Sequence, residues 1–177
     1  KLSFKDLKIK KEDVDDIVHF ALPASIGQAM SSFGFVIIHS VILRFGNDVS
    51  SGFSVGSRIS SFLLNPVVAL SGIMAAFVGM NIGHNQKERA KKSYIVTRNL
   101  SFIMMLVAIL FVIPFRSLFV EFILGNRTSS SYQIALEYTI WLLMTQPMMA
   151  LFQCYLGLFN GSGYSKYTFG ISITRLW

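Results

Sequence analysis

The chain has 177 residues, of which 53% are hydrophobic and only 14% are charged, and its mean hydropathy is +0.54. A soluble domain carries about 25% charged residues, and a chain of this size cannot bury so large an apolar share in water. Composition therefore indicates a membrane protein, and it excludes a disordered tail and, since Cys154 is the only cysteine, a disulfide-stapled secreted module.

Four apolar stretches are long enough, or nearly so, to cross a bilayer core of about 30 Å, which takes about 20 residues of helix. The stretches are continuous, whereas the strands of a membrane barrel alternate in polarity, so helices are expected. We predict spans at 17–45, 52–84, 94–115 and 134–160, and a fifth over 167–177 that is truncated. The predicted fold class is an all-α membrane protein, a polytopic helical bundle with four complete transmembrane helices and the start of a fifth.

Basic residues are distributed unevenly around the uncharged central parts of these spans. Eleven lie before the first span, after the second and after the fourth, and three lie in the other two connections: Lys1, Lys5, Lys8, Lys10, Lys11, Lys87, Arg89, Lys91, Lys92, Arg98 and Lys166 against Arg44, Arg116 and Arg127. The positive-inside rule then predicts a multi-pass protein of the cell (inner) membrane with a cytoplasmic N-terminal segment. Nucleic acid is not an expected partner, because the charge forms no single basic face.

Polar side chains inside a span are costly in lipid, so they are the functional candidates. Six residues are predicted to line a substrate cavity: Gln28, Ser31, Asn65, Gln146, Met149 and Gln153. Five of them are polar, and the sixth is a methionine, whose flexible side chain suits an adaptable pocket. Arg58 is an intramembrane charge about 10 Å from the helix end if the helix begins near Ser51. It is either an anchor or part of a substrate or ion path. His39 is either a packed side chain or a proton-handling group.

Proline recurs inside three spans, at Pro23, Pro66 and Pro147. Each proline removes a helical hydrogen bond and predicts a kink. The kinks are either tolerated, as they often are in membrane helices, or they shape a cavity and act as hinges for alternating access. No span holds paired carboxylates, a metal-spaced Cys and His cluster or a Ser, His and Asp set. We therefore expect no enzyme, no catalytic residue, no metal site and no covalently bound cofactor.

Several segments resemble the multidrug and toxic compound extrusion (MATE) family. The segments Gly52–Pro66 and Phe77–Ala90 are similar to the eighth helix of that family and the loop that follows it. The pair Leu22–Pro23 looks like the start of its seventh helix, Gly157–Lys166 like the end of its tenth, and Ile173–Trp177 like part of its eleventh. The resemblance covers nearly the whole chain, in order.

This resemblance implies part of a twelve-helix transporter built from two six-helix lobes. Residues 1–12 would be the cytoplasmic linker between the lobes, and 13–177 would be a partial C-terminal transmembrane lobe. The implied function is a cation-coupled antiporter, driven by sodium or protons, that exports organic drugs or toxic compounds by alternating access. The implied partners are the lipid bilayer, the N-terminal lobe of the same full-length protein and small organic, often cationic, substrates.

The coupling carboxylates of the family do not carry over to this chain. Ser31 and Met149 stand near the positions that are acidic in the NorM-like branch, which favours the DinF-like branch, whose acidic residues lie in the first lobe. Two alternatives remain open. One is a lipid-linked oligosaccharide flippase or exporter of the same superfamily, with a lateral and more basic cavity; the other is a structural membrane subunit that transports nothing itself.

Overall fold

The computed structural model describes residues 11–125, 127, 129–164, 167–168 and 170–172; the side chains of 11–13, 15–17, 19–20 and 23–24 lie outside this description. Within it there are four long helices: α1 Lys11–Leu43, α2 Asn47–Gly83, α3 Lys87–Leu124 and α4 Ser130–Gly161. All four contain a segment long and apolar enough to cross a membrane. The predicted all-α membrane bundle is therefore confirmed. The predicted fifth helix lies partly outside the described residues; 167–168 and 170–172 are helical.

Each helix begins four to seven residues before its predicted span, and α3 and α4 also end after it. The largest difference is in α3, which begins seven residues before the predicted 94–115 span and continues through Pro114 to Leu124. At 1.5 Å per residue α3 is about 57 Å long, almost twice a bilayer core of about 30 Å. Lys, Arg and Glu are good helix formers, so the polar flanks of a span continue the helix into water. Apolar length therefore marks the part of a helix in lipid and not its ends.

Short turns join consecutive helices. Gly46 (φ 104°) precedes α2, and Gly125 (φ 72°) ends α3 in the left-handed conformation that glycine adopts without a steric penalty. The Oγ of Ser129 accepts a hydrogen bond from the Ser131 N–H at 3.1 Å and so caps α4. Turns this short reverse the chain direction, so α2 and α4 run parallel to each other and antiparallel to α1 and α3.

Three of the helices form the packed core. The most extensive contact joins α2 to α4, and α3 packs on both, whereas α1 makes a much smaller contact, with α2. The core side chains are mostly apolar and include Val67, Val78, Met105, Val120 and Leu143. In the described part of α1, Gly27 is the one buried residue. The fold is thus a three-helix bundle with a peripheral fourth helix.

Candidate functional site

The α2 and α4 helices pack side by side in a constant register. Among the described residues, hydrogen bonds join them at three levels: Ser131 Oγ to Asp48 Oδ1 at 3.1 Å, Gln146 Nε2 to Ser60 Oγ at 2.6 Å, and Ser71 Oγ to the Gln153 carbonyl oxygen at 2.7 Å. The bonded partners are 83, 86 and 82 positions apart in the sequence. A nearly constant separation means that the two helices stay in parallel contact along most of their length.

Glycines permit this close approach at both ends of the helix pair. A Cβ atom on Gly52 would lie 2.8 Å from a side-chain carbon of α4, and one on Gly161 would lie 2.7 Å from the Cα of Ala75 in α2. Gly56 and Gly157 have similarly tight surroundings, so each helix contributes a Gly-x-x-x-Gly pair. Small residues at this spacing let membrane helices approach closely. A larger side chain at any of these positions would force its neighbours on the other helix to shift.

Gln146 lies inside this contact. Its side chain is only 1% exposed, and its Nε2 donates to Ser60, whereas its Oε1 has no hydrogen-bond partner in the described part of the chain. In this conformation Gln146 joins two helices and is closed to a ligand. Met149 and Gln153, on the same helix, are half-buried, and Gln153 contributes its backbone carbonyl to the pair.

The other predicted cavity residues are more accessible. Gln28 and Asn65 are exposed, and Ser31 is half-buried on the same face of α1 as Gln28. Among the described residues, no hydrogen bond joins the two on α1 to Asn65, Met149 or Gln153. The six therefore occupy three helices without converging on one hydrogen-bonded site in this conformation.

Two of the predicted hinge prolines lie at nearly the same level. The register of 82–86 positions places Pro147 beside residues 61–65 of α2, immediately before Pro66. Both helices continue through their proline, with Pro66 exposed and Pro147 half-buried. Pro114 is a further proline inside a helix; it lies one residue before the end of the predicted 94–115 span and is not among the predicted hinges. The side chain of Pro23 lies outside the described residues.

Arg58 borders a cavity of about 480 Å³ between α2 and α3, whose other lining is almost entirely apolar and includes Phe62, Phe111 and Phe119. The Arg58 side chain is exposed, and no described residue pairs with it. Because α2 begins at Asn47 and not near Ser51, Arg58 lies about 16 Å from the start of the helix, whereas the prediction was about 10 Å. None of the six predicted cavity residues lines this space.

His39 and Arg127 each contact a neighbouring side chain in the described part of the chain. The His39 ring meets Phe53 edge-on, with centroids 5.9 Å apart, and Phe53 packs on Tyr138 at 5.0 Å. Arg127, which lies beyond the end of α3, pairs with Glu121 in the last turn of that helix. This hydrogen bond raises the pKa of the Arg127 guanidinium. No group of three or more His, Cys, Asp or Glu side chains that could hold a metal ion occurs among the described residues.

The family model for MatE matches residues 23–176, which is most of the chain. The chain belongs to the MatE family. Members of this family are transporters and not enzymes, as the sequence predicts. The match begins at Pro23 inside α1 and extends beyond α4, so it includes every helix interface described above.

Two solved structures share the fold of this MatE chain. A MATE protein crystallised in complex with MaL6 aligns with a TM-score of 0.85 and 18% identity, over 99% of this chain and 39% of that one. A MOP superfamily transporter from Pyrococcus furiosus, whose described feature is a binding pocket of reverse polarity, aligns with a TM-score of 0.82 and 19% identity over the same shares. At these identities the likeness establishes the fold alone.

Two curated relatives match shorter parts of this MatE chain. The FAD transporter of Shewanella oneidensis is 25% identical over 107 residues, which are 60% of this chain and 23% of the relative. The "Probable multidrug resistance protein YoeA" of Bacillus subtilis is 26% identical over 86 residues, 49% of this chain and 19% of the relative. The chain thus aligns with less than a quarter of the length of either relative.

Proposed function

We propose that the chain is part of a cation-coupled antiporter that exports organic compounds by alternating access, with sodium ions or protons as the coupling ion. The family match over residues 23–176 carries this proposal. Two solved structures in which this chain corresponds to 39% of the whole support its assignment as a partial lobe. Residues 1–12 would then be the cytoplasmic linker between lobes and 13–177 a partial C-terminal lobe in the inner membrane.

The arrangement of the helices suggests how such a lobe moves. Hydrogen bonds and glycine contacts hold α2 to α4 from Asp48 to Gly161, so the two helices move as one body. Pro66 and Pro147 lie at the same level of this body, and neither has a backbone N–H to donate to a helical hydrogen bond. The helices can therefore bend at this level without breaking a further hydrogen bond. The α1 helix has few contacts with this body and can tilt separately.

Five of the predicted cavity residues can contact a substrate without disturbing the α2–α4 pair: Gln28, Ser31, Asn65, Met149 and Gln153. Their amide and hydroxyl groups suit uncharged polar parts of an organic molecule, and methionine adapts to varied apolar surfaces. Gln146 contacts a substrate only in a conformation in which α2 and α4 separate. No described carboxylate pairs with Arg58, whose guanidinium suits an anionic group.

The names of the two relatives define two substrate classes to compare. One is named for FAD, a dinucleotide that carries phosphates, and the other for multiple drugs. The resemblance of this chain favours small organic cations, whereas the free charge of Arg58 favours an anion. The lipid-linked oligosaccharide flippase and the structural subunit remain the alternatives, and a direct flux measurement separates all of these.

The experiment is efflux from vesicles that contain the intact protein to which this chain belongs. A sodium step and a pH step are imposed separately, and release of a fluorescent organic cation or of FAD is followed. We expect flux with one of the two steps and one of the two compounds, and an altered substrate preference in Gln28→Ala and Gln153→Ala. Gly72→Ala, at an open site on α2, is the matched control. Absence of flux under every condition, with folded protein inserted, would contradict the proposal.

A further inference from the structure

A groove of about 510 Å³ runs between α2 and α3 where the basic connection joins them. We call this side of the bundle the basic end; it is marked by the segment 87–92, which holds four basic residues and one acidic residue. The groove has polar residues near the connection, Asn81, Arg89, Lys92 and Ser93, and mostly apolar residues farther along, Leu70, Ile73, Met74, Phe77, Val96 and Thr97. Polarity thus changes along the length of the groove.

Each wall of the groove is a continuous stripe on one helix. On α2, Leu70, Ile73, Phe77 and Asn81 recur at intervals of three or four residues and so share a face. Positions 89, 92, 93, 96 and 97 do the same on α3. From Asn81 to Leu70 the α2 stripe is about 16 Å long, which is about half of a bilayer core of about 30 Å. The groove, from its polar end to Leu70, therefore has the depth of one lipid leaflet.

The two basic side chains of the groove lack an anionic partner. No ion pair among the described residues includes Arg89 or Lys92. Arg89 donates only its Nη1 to Gln86 Oε1, at 3.1 Å, so its other N–H groups remain available. The Lys92 ammonium has no hydrogen-bond partner in the described chain. The polar end of the groove is therefore a cationic site with unused donors.

We infer that this groove binds an anionic glycerophospholipid. Its phosphate lies between Arg89 and Lys92, and an acyl chain lies along Leu70, Phe77 and Val96. Basic pockets between transmembrane helices bind acidic lipid head groups, and the apolar stripe supplies the contact that a free phosphate cannot use. The inference rests on embedding in a membrane and not on the proposed transport function, so either can fail alone.

The test is native mass spectrometry of the intact protein in detergent, with added phosphatidylglycerol or phosphatidylcholine. We expect a bound phosphatidylglycerol that millimolar inorganic phosphate does not displace. Arg89→Gln with Lys92→Gln should weaken binding about tenfold or more, because each basic residue near a membrane surface contributes about 1 kcal/mol to lipid attraction. Lys87→Gln with Lys91→Gln removes the same charge from the same segment but outside the groove, and should change binding less than twofold.

A second variant tests the apolar part without changing charge. Val96→Trp fills the groove and should reduce phosphatidylglycerol binding while the protein elutes as a folded species. Three results would each overturn the inference. They are equal binding of the two lipids, an equal loss of binding in the 89/92 and 87/91 double variants, and displacement of the lipid by inorganic phosphate. The first result would indicate lipid binding that does not depend on head-group charge, the second an effect of diffuse surface charge, and the third a site for free anions.

Discussion

The α2–α4 pair and the α1 helix use similar apolar sequences in opposite ways. The pair has two Gly-x-x-x-Gly contacts and three interhelical hydrogen bonds in constant register. By contrast, α1 leaves nearly every described side chain exposed, including Phe33 at 60%, and its ring contact among the described residues is that of His39 with Phe53. Hydropathy makes both regions membrane helices; small residues and matched polar groups decide which of them pack tightly.

This difference has a physical basis in the lipid environment. Hydrocarbon chains solvate an apolar helix as well as another helix does, so apolar exposure alone gives α1 no reason to pack. Close backbone approach and interhelical hydrogen bonds supply the attraction between α2 and α4. We therefore expect substitutions in the pair to change stability and substitutions on α1 to change it little.

The largest effect is expected for Gly161→Leu. Its Cβ would lie 2.7 Å from the Cα of Ala75, which is backbone and cannot move aside, so we expect a loss of about 3 kcal/mol or no folded protein. Gly72→Leu is the matched control on α2, since a Cβ there meets nothing within 4 Å. Thermal unfolding of the intact protein in detergent measures both. Equal stability of the two variants would show that the α2–α4 pair is looser than described.

A smaller effect, on transport, is expected for Pro66→Ala. Alanine restores a backbone N–H that can donate to a helical hydrogen bond, so the substitution should stiffen the α2–α4 pair. We expect the flux to fall about tenfold, which corresponds to an increase of about 1.4 kcal/mol in the activation free energy. Because Pro147 lies at nearly the same level as Pro66, adding Pro147→Ala to Pro66→Ala should lower the flux only a little further. Flux from vesicles, divided by the amount of inserted protein, measures this change. A parallel loss of flux and of inserted protein would point instead to a folding defect.

The hydrogen bond between Gln146 and Ser60 should contribute less than 1 kcal/mol. Double-mutant cycles in membrane proteins average about 0.6 kcal/mol for such a bond, and we expect that coupling from Gln146→Leu and Ser60→Ala. Unfolding of the wild type, both single variants and the double variant yields the coupling energy. Gln28→Leu, on the exposed face of α1, should leave stability unchanged. A coupling near zero would remove Gln146 from the set of residues that hold the pair together.

The smallest effect is expected on α1, for Phe33→Ala. Its side chain is 60% exposed, so its loss should change the free energy of unfolding by less than about 0.5 kcal/mol. Leu143→Ala on α4 is the buried counterpart, 1% exposed, and should cost about 2 kcal/mol or more. The same unfolding assay compares them. A large loss for Phe33→Ala would show that another part of the intact protein covers this face of α1.

The sequence predicts the helices well and their contacts poorly. Continuous apolar runs define the four spans, but α3 extends to Leu124 because polar flanks and Pro114 do not interrupt it. Small residues occur on every face of α2, so composition cannot distinguish Gly72, which is open, from Gly52, which touches α4. The burial of Gln146 depends on Ser60, 86 positions away, and no local pattern reveals that pairing. Interhelical register is a tertiary property.

The most direct test of the account measures distances between spin labels on the intact protein in two transport conditions, with and without the coupling ion. Labels at the exposed positions Phe62 on α2, Met148 on α4 and Phe33 on α1 leave the packed core intact. The account predicts that the distance between positions 62 and 148 stays constant while the distance between 33 and 148 shifts. A change between 62 and 148 as large as that between 33 and 148 would contradict the description of α2 and α4 as one body.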